Sequence, residues 1–81
     1  MDKEQIKQKL NTIFRKFFKD NEIELAREST AMDIFGWDSL SHVELMITVE
    51  DSFDIRFKRN EVIRLNDVGE LIDLISSKLQ A

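Results

Sequence analysis

Proline is absent from this chain and glycine occurs only twice. A fold built from many short strands needs tight turns, and tight turns need residues that accept unusual backbone dihedrals. A chain so poor in those residues is expected to be all-α. Its 81 residues make a single domain, residues 1–81, whose thin core leaves little room for a deep, many-walled active site. Binding, carrying or docking suits such a chain better than catalysis.

Apolar spacing places the helices. Ile6, Leu10, Ile13, Phe14 and Phe17 recur every three or four residues, which predicts a first helix from about Asp2 to Lys19 with these side chains on one face. Lys3, Lys7, Lys9, Arg15, Lys16 and Lys19 fill the rest of its surface and read as a solvated outer face. Between Asp20 and Trp37 the periodicity is lost. Asn21, Ser29, Thr30 and Gly36 supply turn chemistry there, and Ile23, Leu25, Met32, Ile34 and Phe35 read as scattered apolar anchors, with a short helical turn near Ala31 to Ile34. A connection this long is uncommon in a small domain and is usually functional or packed by its own side chains.

A second helix is expected from about Ser39 to Ser52, capped by Asp38 or Ser39, with Ser41 to Glu44 as a weaker capping-box alternative. The alternation Phe53-Asp54-Ile55-Arg56-Phe57 would suit a strand, but no second strand exists to pair with it, so it reads as an extended connector. A short helix follows over Arg59 to Arg64. The last helix starts at Asn66 or Asp67, with Glu70 placed to close a capping box around Asp67 and Val68, Leu71, Ile72, Ile75 and Leu79 as its buried stripe. Gly69, in its first turn, lets a neighbour approach closely. The expected architecture is a small four-helix bundle, three main helices plus a short third one, with a long loop between helices one and two.

The second helix has two apolar sides. At about 100° per residue from Leu40, the side chains of Leu45, Met46, Val49 and Phe53 fall between roughly 140° and 240° and should face the core. Leu40, Val43 and Ile47 fall on the other side, between roughly 300° and 360°. Glu44 and Asp51 flank this outer strip on one edge and Glu50 on the other. From Asp38 to Asp54 there are five acidic residues and no lysine or arginine. An apolar strip with an acidic border fits a helix that docks a basic partner. It fits equally a strip covered by the loop between Asp20 and Trp37, because long loops must bury their apolar residues somewhere.

Composition excludes several functions. With no cysteine and one histidine, neither a disulfide framework nor a thiolate or imidazole metal site is expected. A net charge of −4 argues against nucleic-acid binding, which needs a basic face. No apolar run approaches the length of a membrane span or a signal-peptide core, so a soluble cytoplasmic protein without membrane insertion is expected.

The start of the second helix reads Gly36-Trp37-Asp38-Ser39-Leu40-Ser41-His42-Val43-Glu44-Leu45, followed by Glu50-Asp51-Ser52-Phe53-Asp54-Ile55. A serine at a helix N-terminus is ordinarily only a cap. In this context the chain resembles the acyl carrier protein family, in which Asp-Ser-Leu opens the second helix, Val-Glu-Leu follows, and an acidic pair leads to Phe-x-Ile. The resemblance extends to the chain length, the long first loop and the closing helix introduced by Asp67-Val68-Gly69-Glu70-Leu71. It implies that a phosphopantetheinyl transferase esterifies Ser39 with the 4′-phosphopantetheine of coenzyme A, giving a phosphoprotein whose arm carries acyl groups as thioesters. It implies further that Asp38 caps the helix and presents the serine, and that Leu40, Val43, Glu44, Ile47, Glu50 and Asp51 are partner-recognition positions. The inner stripe would then line a core able to shelter an acyl chain. The implied partners are acyl-loading, condensing or acyl-transferring enzymes of fatty-acid, polyketide or other specialised acyl metabolism, and the implied state is a monomer.

The chain departs from that pattern after Phe57. Where the family usually has Pro and acidic residues, it has Lys58-Arg59-Asn60-Glu61, with Arg64 beyond. His42 replaces what is often a small or acidic residue, and Trp37 resembles specialised carriers more than the housekeeping one. Together these point to a carrier dedicated to one pathway. An aminoacyl or peptidyl carrier of nonribosomal synthesis, and an unmodified helical interaction module with Ser39 as a mere cap, are the alternatives. Asp38, Ser39 and His42 also have the residue types of a serine triad. However, the acid is the serine's own neighbour and no Gly-rich elbow is present, so the chain is not expected to be an enzyme.

Overall fold

A computed structural model describes residues 1–80; Ala81, the last residue of the expected domain, lies outside the described residues. Four helices follow one another: α1 (Lys3–Phe18), α2 (Ser39–Phe53), α3 (Arg59–Ile63) and α4 (Val68–Gln80). There is no strand among the described residues, and no helix there is long and apolar enough to cross a membrane. α1 packs against both α2 and α4.

The three long helices, α1, α2 and α4, begin where side-chain chemistry satisfies their free amides. At α1, Asp2 accepts from Gln5 N at 2.8 Å, and the Gln5 side chain accepts from Asp2 N at 3.0 Å. At α4, Asp67 accepts from Glu70 N at 2.8 Å. The Glu70 carboxylate does not close the expected box on Asp67, because it reaches one residue further back and accepts from Asn66 N at 2.6 Å. α1 and α2 end on Lys19 and Asp54 in the left-handed conformation (φ 55° and 56°), the position where helices usually place glycine. The 53–57 segment forms no strand: α2 keeps Phe53, and Ile55 turns into the core from an extended connector.

The buried faces are largely those the spacing predicts. Ile6, Leu10, Ile13 and Phe14 of α1 meet Leu45, Met46, Val49 and Phe53 of α2 and Val68, Leu71, Ile72 and Ile75 of α4. Leu79 breaks the pattern and is partly exposed at the end of α4. The lysine face of α1 is not uniformly solvated either. Lys9 Nζ donates to Ser52 O at 2.7 Å and lies 4.7 Å from the Phe53 ring centre, which ties α1 to the end of α2. Lys3 pairs with Asp73 of α4 at 3.0 Å.

The long loop is pinned from inside. Ile23, Leu25 and Ile34 enter the core, and a 3₁₀ turn occupies Ala31–Asp33. Buried Asn11 of α1 accepts from Leu25 N at 2.7 Å and donates to Glu24 Oε2 at 3.0 Å. Midway along, the loop lies directly on α4: Gly69 N donates to Arg27 O at 2.8 Å, and a Cβ on Gly69 would stand 3.0 Å from that oxygen. That close approach is why glycine occupies the position. Met32 and Phe35, read as anchors from the sequence, instead stand 96% and 99% exposed.

Candidate functional site

The first turn of α2 is built by Asp38. Its backbone is extended, and its Oδ1 accepts from Leu40 N at 3.1 Å and Ser41 N at 2.9 Å. The Ser41 hydroxyl accepts from Asp38 N at 2.9 Å and donates to Gly36 O at 2.7 Å, which locks the entry to the helix. Asp38 is therefore the cap, and its partner in the box is Ser41 rather than the Ser41–Glu44 pairing. These bonds, the Ser41 amide first, hold the Asp38 carboxyl below the usual carboxylate range, because each favours the charged acceptor. Ser39 is the first residue of the helix and is exposed. Among the described residues no hydrogen bond holds its hydroxyl, in contrast to that of Ser41.

His42 does not act as a base for Ser39. The Trp37 indole donates to His42 Nδ1 at 3.0 Å, and His42 Nε2 stands 3.2 Å from Val62 O. Both ring nitrogens are engaged away from the serine and neither meets Asp38, so the triad geometry is missing. Its position near the outer strip favours an exposed His42; the structure shows it half-buried between α2 and α3.

Beside Ser39 lies a cleft of about 370 Å³ between the start of α2 and α3, lined by Trp37, Asp38, Ser39, His42 and Val43 on one side and Val62, Ile63, Leu65 and Leu71 on the other. The expected inner stripe of α2 does not line this cleft: Leu45, Met46 and Val49 are buried in the core. The apolar space next to the serine is at the α2–α3 seam. Val62 and Leu65, both half-buried, form its far wall; their three-residue apolar spacing is the only signal the sequence offers for it.

The outer strip of α2 is uncovered. Leu40, Val43 and Ile47 are 75%, 53% and 52% exposed, so the loop does not fold over them. Glu44 and Asp51 are exposed beside them. Glu50 differs: it is half-buried, and its carboxylate accepts from Phe57 N at 2.7 Å, so it shapes the connector into α3. Lys58, Arg59 and Arg64 all face solvent around α3.

Known proteins provide an independent comparison. No protein-family model matches the chain. It is 31% identical over 86 residues to the mitochondrial acyl carrier protein of Saccharomyces cerevisiae, covering 100% of this chain and 68% of that one. It is 30% identical over 79 residues to an acyl carrier protein of Coprothermobacter proteolyticus, covering 98% and 96% of the two chains. Among solved structures it is similar to a holo acyl carrier protein from Geobacter metallireducens, with a TM-score of 0.84 and 44% identity over 90% of this chain and 84% of that one. It also resembles an acyl carrier protein from Thermotoga maritima, with a TM-score of 0.85 and 25% identity over 99% and 93%.

Proposed function

The chain belongs to the acyl carrier protein family, and we propose that, as a single carrier domain over residues 1–81, it carries acyl groups as thioesters on a 4′-phosphopantetheine arm joined to Ser39 by a phosphopantetheinyl transferase. It is a carrier rather than an enzyme. The observation that carries this reading is an exposed serine at the first position of α2, beside an apolar cleft of about 370 Å³. When bound, the arm supplies a thiol, which the cysteine-free chain lacks. The N-terminus of a fifteen-residue helix favours the phosphate's negative charge. Asp38 and Ser41 fix the turn that presents the serine, and the cleft shelters the apolar part of the cargo.

Leu40, Val43 and Ile47 form the docking strip for enzymes that load, extend or transfer the acyl group. Glu44 and Asp51 steer a basic counter-surface onto it, and Glu50 adds its charge while holding the connector. The exposed cations Lys58, Arg59 and Arg64 make the neighbouring surface basic, which favours a dedicated carrier, acting as a monomer in the cytoplasm, over one shared with general fatty-acid synthesis.

Incubation with a fluorescent coenzyme A analogue and a broad-specificity transferase tests the reading. The native chain takes the label and folded Ser39→Ala does not. Label on both would place the attachment elsewhere. Ile47→Asp, at an exposed position, keeps the native melting curve while transfer to partner enzymes falls roughly tenfold, the size of one lost apolar anchor. Unchanged transfer would remove α2 from the docking face.

A further inference from the structure

A row of contacts runs from the core to α3 through two side chains that flank Ser39. The Trp37 ring stands edge-on to Phe14 at 5.2 Å and lies edge to edge with the His42 ring, centroids 5.9 Å apart and planes within 25°. An indole N–H can only donate, so its 3.0 Å contact makes His42 Nδ1 the acceptor. The proton of the neutral imidazole is then on Nε2, which donates it to Val62 O at 3.2 Å. Trp37 thus selects the tautomer that lets His42 reach α3.

That bond matters because α3 cannot stand alone. Five residues are far too few for an isolated helix, and its last carbonyls have no partner within it. From α4, Lys78 reaches Glu61 at 2.9 Å. From α2, His42 holds the carbonyl of Val62. His42 and Val62, the two ends of the second tie, both line the cleft beside Ser39, whose volume of about 370 Å³ is near the lower end of the roughly 300–1,000 Å³ range of ligand clefts.

We propose that Trp37 and His42 form a latch that sets the position of α3 over this cleft, making His42 a positioning residue that decides which acyl chains are sheltered and how readily they are released. Latched, the cleft takes a short or medium unbranched chain; longer or polar cargo remains outside. The cargo half of this inference rests on the carrier reading of Ser39, whereas the latch itself does not.

Hydrogen exchange on the apo chain tests the latch at the amides of Val62, Arg64 and Leu65, which bond to Lys58 O, Asn60 O and Val62 O. In His42→Leu and Trp37→Phe these amides exchange roughly tenfold faster, the change expected for one lost hydrogen bond, while core amides of α1 and α4 keep their protection. His42→Gln, whose amide nitrogen can replace Nε2, restores slow exchange. Native-like exchange in His42→Leu, or no rescue by Gln, overturns the latch. If His42→Leu loses core protection too, Trp37→Phe against native decides, because the ring that packs on Phe14 is retained. On butyryl- and octanoyl-loaded protein, hydroxylamine cleaves the thioester faster in His42→Leu than in native or His42→Gln. Equal rates would show that α3 does not govern the cargo. If Ser39 takes no arm at all, the carrier reading falls, and the exchange data still decide the latch.

Discussion

Asn11 shows how much of this fold hangs on one polar side chain. It is 6% exposed on a helix face otherwise made of Leu10, Ile13 and Phe14. Its carbonyl oxygen is 2.7 Å from the buried amide of Leu25, and its amide nitrogen is 3.0 Å from the exposed carboxylate of Glu24. The two bonds are unequal. Asn11→Ala leaves the Leu25 N–H without an acceptor in a site water cannot easily enter, which costs about 1–3 kcal/mol. Glu24→Ala frees the Asn11 amide nitrogen and one Arg15 nitrogen on the side where Glu24 meets solvent, so water can replace the carboxylate and the loss should be smaller, about 0.5–1 kcal/mol. For 81 residues total stability is about 4–12 kcal/mol, so a loss near 2 kcal/mol is a large part of it. For a domain of this size that loss lowers the melting temperature by about 8–16 °C. Thermal and urea unfolding followed by circular dichroism at 222 nm measures both variants. Comparable losses for Asn11→Ala and Glu24→Ala, or a drop under about 3 °C for Asn11→Ala, would refute the claim that the buried half anchors the loop.

Two further outcomes follow from the seam between the loop and α4. Gly69→Ala gains about 1 kcal/mol of helix propensity but sets its Cβ 3.0 Å from Arg27 O and 3.2 Å from Arg27 Cβ. The contacting atom is backbone and overpacking costs about 1–3 kcal/mol, so a net loss near 1 kcal/mol is expected and a raised melting temperature would contradict the packing argument. Asp73 bonds Arg27 and Lys3, and these cations, Arg27 first, hold its carboxyl down from 3.8 to about 2. A lowered folded-state value means that the stabilisation is present above pH 3.8 and is lost as pH falls from there toward 2. The group is exposed, so the effect is small and shrinks with salt. Melting curves should fall less steeply from pH 4 to pH 2 in Asp73→Asn than in the native chain, and identical slopes would remove Asp73 from the acid limb.

The helices were legible because a packed helix must repeat its apolar residues, and Ile6, Leu10, Phe14 and Leu45, Met46, Val49 do so without ambiguity. The same geometry separated the two sides of α2, since one helix in a small bundle can bury only one broad face. Whether the loop covered the second side was not legible. An aperiodic segment does not say which apolar side chains turn inward: Ile23, Leu25 and Ile34 do, whereas Met32 and Phe35 do not. The Trp37–His42 contact was hidden for a related reason, because it spans the cap, where helical spacing does not apply. Glu50 was read for its charge alone, yet its bond to Phe57 N depends on where the chain goes after the left-handed Asp54. Asn11 left a usable signal, a polar residue set between Leu10 and Phe14 on the buried side, which marks a loop amide needing an acceptor.

Attachment at Ser39 is the central claim, and intact mass followed by peptide mapping tests it most directly. No lysine or arginine lies between Arg27 and Arg56, so trypsin releases Glu28–Arg56 with Ser39 and Ser41 together for fragmentation. After incubation with coenzyme A and transferase, the folded chain should gain one phosphopantetheine, located on Ser39 and absent from Ser39→Ala. No gain with several transferases, or a gain on Ser41 instead, would contradict the account and leave Ser39 as a residue of the helix start alone.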